Sequence, residues 1–230
     1  MKLSLNNLLA ILPLAAAPAL ATTFTIQPQN ETESKDTKIY ASLPTGNFSS
    51  NLNVVSADIT DFRSLIQFDT SSLAVLGVND ISSAVVRLYV TGLNTNGLST
   101  ATSVNVTLSP IQNPWKETSA DSGSAPLATW DAFFGSNPTL SIGSVASSQS
   151  VTGVGYFDWD VTALVKDWVG GTKVNHGLLI QAPGPLGDAG IADTDTPAFA
   201  PALIVNAVPE PSSLITLGAA TTLLLRRRRK

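Results

Sequence analysis

Short runs that alternate apolar and polar residues constrain this chain more than any other feature. In Val104-Asn105-Val106-Thr107-Leu108 three aliphatics fall on one side, with Asn105 and Thr107 on the other, which is the period of a half-buried strand. Phe62-Arg63-Ser64-Leu65-Ile66-Gln67-Phe68 gathers Phe62, Ile66 and Phe68 on one face. From Ala84 to Val90, Val86, Leu88 and Val90 lie opposite Arg87 and Tyr89. Gly177–Gln181 and Ala202–Asn206 read as buried strands, and Thr23–Gln27, Lys38–Ser42, Leu52–Val55 and Tyr156–Asp160 as further strands. Turn clusters separate these runs, so the pattern predicts an all-β domain, a sandwich or barrel.

Helical spacing occurs once. Val161, Leu164, Val165 and Trp168 share a face, Asp160 or Thr162 can accept the first free N–H groups, and Gly170-Gly171 can stop the helix. A short helix near 161–169 that plugs an end or side of the sheets follows, with Trp168 in the core. Residues 110–150 are the least regular, with Pro114, Pro126 and Pro138; part of this stretch reads as strand and part as a long surface loop.

The chain has no cysteine, which removes disulfides, zinc–thiolate and iron–sulfur sites and cysteine nucleophiles. Its one histidine, His176, removes most Ser-His-Asp schemes and any multi-histidine metal site not completed by carboxylates.

The two ends differ from the middle. Residues 1–21 carry Lys2, an apolar run from Leu8 to Leu14 and the small-residue site Ala19-Leu20-Ala21, the layout of a secretory signal peptide with a mature start near Thr22. At the other end, Val208-Pro209-Glu210-Pro211-Ser212-Ser213 leads into the uncharged stretch Leu214–Leu225 and then Arg226-Arg227-Arg228-Arg229-Lys230. As a helix, that apolar stretch covers about 18 Å, short of a ~30 Å hydrocarbon core. It suits transient membrane contact with the cations on the cytoplasmic side. Between the ends, Thr22 to Val208 holds seven basic and sixteen acidic residues, a net charge of −9, with no basic stripe for nucleic acid.

The order Pro209-Glu210-Pro211, short apolar segment, Arg226-Arg227-Arg228-Arg229 resembles the PEP-CTERM sorting signal. That resemblance implies processing by exosortase, a transpeptidase-like membrane enzyme of exopolysaccharide-making Gram-negative bacteria. It also implies transient contact with the inner membrane and a destination at the cell surface or in the extracellular matrix. The organisation is then signal peptide 1–21, β-sandwich domain 22–207 and sorting tail 208–230.

The domain itself resembles the DNRLRE-type family, exported bacterial modules related to carbohydrate-binding modules. Lys35-Asp36-Thr37-Lys38-Ile39-Tyr40 matches its opening strand, and Asn47-Phe48-Ser49-Ser50 its Asn-aromatic-Gly-Ser turn, with Ser49 for glycine. Arg63 to Asp69 with Ser71-Ser72-Leu73 matches Leu-x-x-Phe-Asp-x-Ser-x-Leu, and Ser83 to Val90 the next strand. Trp115-Lys116-Glu117 and Trp130 correspond to a Trp-x-Glu…Trp pair. Asp158-Trp159-Asp160-Val161-Thr162 through Trp168 and Asn175-His176-Gly177-Leu178-Leu179-Ile180 form the most specific block, with His176 where the family has tyrosine. The resemblance implies an antiparallel β-sandwich of jelly-roll type that binds carbohydrate or matrix polymer without catalysis.

Sugar binding needs aromatic faces and planar polar groups. Trp115 and Trp130 are candidates for a stacking platform, or else a buried pair that fixes the irregular segment on the sandwich; Tyr156 is a third candidate aromatic. Carboxylates cluster at Asp58 with Asp61, at Asp158 with Asp160, and at Asp188, Asp193 and Asp195. The last group reads as a solvated acidic loop or as a calcium site, since calcium takes oxygen ligands from such loops. Arg87 is expected to pair with a carboxylate such as Asp69. The function expected is that of a non-enzymatic surface or exopolysaccharide-matrix protein that binds or packs with polysaccharide. A β-sandwich hydrolase or lyase and a purely structural subunit are the alternatives.

Overall fold

The alternating runs do become strands. A computed structural model of the chain describes residues 21–27, 34–48, 52–56, 62–94, 101–118, 123–183, 187–194 and 196–208. Residues 1–20, Asp58, Asp61, Asp195 and the sorting residues from Pro209 to Lys230 lie outside the described residues. The strands are β1 (Thr22–Ile26), β2 (Ser34–Tyr40), β3 (Leu52–Ser56), β4 (Phe62–Phe68), β5 (Ile81–Leu93), β6 (Val104–Pro110), β7 (Ser147–Val151), β8 (Gly155–Asp160), β9 (Leu178–Gln181), β10 (Gly187–Ile191) and β11 (Ala202–Ala207). Helix α1 (Trp130–Phe134) precedes β7, and α2 (Thr162–Val169) follows β8.

The strand pairs are antiparallel and form two layers. One runs β1-β11-β5-β8, the other β2-β4-β9-β6-β7, and β10 with β3 joins them. Between the layers lies the main core. Val86, Leu88 and Val90 of β5 meet Val106 and Leu108 of β6, Ile66 and Phe68 of β4, and Leu203 and Val205 of β11. Trp159 of β8 is wholly buried there, and its indole Nε1 donates to the Val106 carbonyl at 2.9 Å, so its one polar atom is satisfied.

A second core lies on the outer side of β4 and β9. Leu65 and Leu179 point away from the main core and pack with Ile39, Ile111, Trp115, Ala128, Phe133 and Leu140. Much of the irregular segment is therefore a packed cover rather than a surface loop, and its strand portion is β7. The cover is laid down by isolated bridges, Ile111 to Ile142 and Lys116 to Leu127, and by α1, whose first turn is capped by Thr129 Oγ1 accepting from the Ala132 N–H at 3.2 Å. Its buried residues follow no period, which is why periodicity could not find them.

Helix α2 forms where its pattern predicts. Asp160 Oδ1 accepts both the Thr162 N–H at 2.9 Å and the Thr162 hydroxyl at 2.6 Å, and these bonds, the hydroxyl's first, hold the carboxyl below its usual range. Leu164 and Val165 are buried, and Gly171 supplies the left-handed stop at φ 69°. Trp168 departs from expectation: it packs on the core edge but stays partly exposed. Asp160→Ala is expected to cost about 1 kcal/mol in denaturant unfolding at neutral pH. Because the folded pKa is depressed, that stabilisation is present above the unfolded value and fades as pH falls through the folded one. The wild type and variant should therefore converge on acidification.

Two further boundaries moved. Strand β2 starts at Ser34 rather than Lys38, paired along β4. Gly187–Ile191, expected as a loop, is strand β10, held between β3 and β5. Gly177 sits just before β9 at φ 90°, where a Cβ would collide with the Ile66 carbonyl oxygen, so the backbone requires glycine there.

Candidate functional site

The outward row of β5 and β8 is built by register. Antiparallel pairing sets Arg87 opposite Asp158 and Tyr89 opposite Tyr156, on the face away from the main core. Tyr156 is 51% exposed and meets Tyr89 edge-on, with ring centroids 5.0 Å apart at 70°. Phe199, 38% exposed in the turn before β11, stacks on Tyr89 at 4.2 Å and 22°. The Tyr156 hydroxyl donates to the Ala198 carbonyl at 3.1 Å, which ties that turn to β8. The result is one contiguous aromatic surface from three distant parts of the chain.

A planar ion pair borders it. Arg87 Nε and Nη2 each donate to a different Asp158 oxygen at 2.8 Å, and the guanidinium lies 6.0 Å from the Tyr156 ring centre. The hydrogen bond to Asp158, above all, raises the Arg87 pKa further. Asp69 is not the partner expected for Arg87. It closes a turn just before the 3₁₀ segment Ser71–Val75 instead, accepting the Ser71 N–H at 2.8 Å and the Ser71 hydroxyl at 3.1 Å. Cross-strand register decided the pairing. Both groups of the Arg87–Asp158 pair are well exposed, so Arg87→Glu is expected to lower stability by no more than about 1 kcal/mol. Adding Asp158→Arg should restore most of that loss in a double-mutant cycle.

The other candidate aromatics lie elsewhere. Trp115 is 1% exposed inside the second core, its Nε1 donating to the His176 carbonyl at 2.7 Å, so its ring offers no face to a sugar. Lys35 Nζ donates to the Trp115 carbonyl at 3.2 Å. Trp130, on α1, is half-buried beside Phe134 at 4.8 Å, and the Arg63 guanidinium stands 4.9 Å from its ring centre. Neither tryptophan shares a surface with Tyr156. Trp115 takes the buried, cover-fixing role.

Of the acidic candidates in the described residues, Asp188 and Asp193 are both buried. Asp188 is fully buried on β10. Asp193 Oδ1 accepts the Thr196 hydroxyl at 2.8 Å, and Asp36 Oδ2 accepts the Thr194 N–H at 2.8 Å. Among the described residues no three or more His, Cys, Asp or Glu side chains group to hold a metal ion. Burial, and then the charge of Lys35, lowers the pKa of His176.

The family model of carbohydrate-binding module family 96 matches residues 27–207. The chain belongs to that family. Within this family-96 module the match spans β2 through β11, so both cores and all three aromatic rings are included. No relative matches it among curated proteins. Sequence reasoning named Tyr156 as a candidate exposed aromatic, which it is, and placed Arg87 and Tyr89 on the outer face. It missed Phe199, which carries no local signal beyond being an aromatic in a Pro/Ala-rich turn.

Proposed function

We propose that this family-96 module is a non-enzymatic, exported protein that holds polysaccharide on the face formed by Tyr89, Tyr156 and Phe199. Family membership supplies carbohydrate binding. The observation that supports this location is the exposed aromatic group bordered by the Arg87–Asp158 pair. Pyranose C–H faces pack on such rings while hydroxyls bond to planar polar groups. The signal-peptide layout of residues 1–21 and the PEP-CTERM-like tail at Pro209, Glu210, Pro211 and Arg226–Arg229 support export, exosortase processing and a place in an exopolysaccharide matrix.

Affinity gels cast with neutral and acidic polysaccharides, with and without calcium, test the binding. Retardation on at least one gel is the expected result, and unchanged mobility on all of them rejects the proposal. Replacing Pro209, Glu210 and Pro211 with alanine should leave the chain in the membrane fraction of its host. Normal release of that variant would remove the sorting reading.

A further inference from the structure

Away from the aromatic face, a groove runs beside α2. One section, of about 350 Å³, has Trp168, Pro110 and Val174 as apolar lining and Gln112, Lys173 and His176 as polar lining. A second section, about 470 Å³, shares Pro110, Ser144 and Lys173 with the first and extends to Asp160 at the start of the helix. These volumes fall in the ordinary range for small-ligand sites. Trp168 is partly exposed, and after the helix Thr172 and Lys173 fold back onto the Asp167 carbonyl through backbone bonds of 3.0 and 3.3 Å, which brings Lys173 and Val174 to the same groove.

The polar groups are those that suit hydroxyls, and their charges cancel locally. Lys173 is neutralised by Asp167 at 2.6 Å, and Thr172 Oγ1 adds a bond to the same carboxylate at 3.0 Å. The Ser141 hydroxyl lies between Asn113 Oδ1 at 2.6 Å and Gln112 Oε1 at 3.1 Å, and the Gln112 amide, which lines the groove, carries both donors and an acceptor. A neutral imidazole, which burial favours at His176, has one donor and one acceptor. An aromatic wall, an amide, an imidazole and a compensated ion pair, in a domain of net charge −9, fit an uncharged sugar better than an anion.

We infer that this groove is a second carbohydrate subsite, for a neutral sugar unit stacked on Trp168 with hydroxyls on Gln112 and His176. The inference rests on the carbohydrate-binding reading of the domain but not on the Tyr156 face. Tyr156 and Asp160 lie at opposite ends of the outer row of β8, so the two sites are separate. One module can thus hold two chain segments, and a polymer that engages both gains avidity without new contacts.

Calorimetric titration of the purified chain with cellohexaose, laminarihexaose, xylohexaose and mannohexaose tests this. Ser144→Trp fills the groove from an exposed position, Gln112→Ala removes one donor, and Tyr156→Ala disables the other face; near-ultraviolet circular dichroism checks each fold. The expected result is two sites per chain for at least one hexasaccharide. Ser144→Trp and Tyr156→Ala should each retain one of them, and Gln112→Ala should weaken the groove site about fivefold. A single site that Tyr156→Ala abolishes and Ser144→Trp leaves intact overturns the groove and keeps the aromatic face. A single site lost only in Ser144→Trp keeps the groove and overturns the face, and no binding by any hexasaccharide overturns the groove.

Discussion

Trp115→Ala is expected to destabilise the domain by about 3–5 kcal/mol, because the ring is almost wholly buried and its removal leaves a cavity among Ile39, Leu65 and Leu179. It also strands the His176 carbonyl, which now accepts the indole N–H at 2.7 Å. Trp115→Phe keeps much of the volume and should lose far less, mostly the hydrogen bond. Denaturant unfolding measures both. Hydrogen exchange adds a spatial readout: amides of residues 111–142 should lose protection first, while those of β5 and β11 hold until global unfolding. A variant as stable as wild type would show that the second core does not hold the cover in place.

Loss of the aromatic face should have the largest effect on binding. Tyr156→Ala combined with Phe199→Ala removes the two most exposed rings and leaves Tyr89 without either partner. Anchors of this kind contribute about 2 kcal/mol or more, so polysaccharide affinity should fall at least ~30-fold. Both side chains are partly exposed, so the melting midpoint should fall only modestly, through the lost ring contacts and the Tyr156–Ala198 bond. Trp130→Ala is the control, since that ring lies on α1 beside Phe134, against the second core, and its loss should leave affinity unchanged. Equal retardation of the double variant and wild type on the same gel would move the binding site elsewhere.

What could be read in advance follows from where the information sits. Strand β4 was legible to its boundaries, and the outward placement of Arg87 and Tyr89 on β5 was legible too, because period two is written locally. Strand β10 was not. Gly187-Asp188-Ala189-Gly190 has little β propensity, and only pairing on both flanks, with β3 and β5, makes it extended. The cover over β4 and β9 was opaque for a different reason: Ile111, Trp115, Ala128 and Leu140 are buried by tertiary contact from a segment without repeat. At the site, Tyr156 could be suspected as an aromatic, but Phe199 joins it only through the fold, and Arg87 met Asp158 rather than Asp69 through strand register.

Thr22 of β1 pairs with Ala207 of β11, Ala207 pairs with Ile81 of β5, and the Val208 N–H donates to the Asp80 carbonyl. The flanking segments therefore enter and leave at one corner of the sandwich. From Ile81, Tyr89 lies eight residues along β5, about 26 Å away at strand rise. A tether on either flank would hold the domain by that single corner and carry the aromatic face at the end of a stiff, two-nanometre-plus arm, clear of whatever the tether is fixed to.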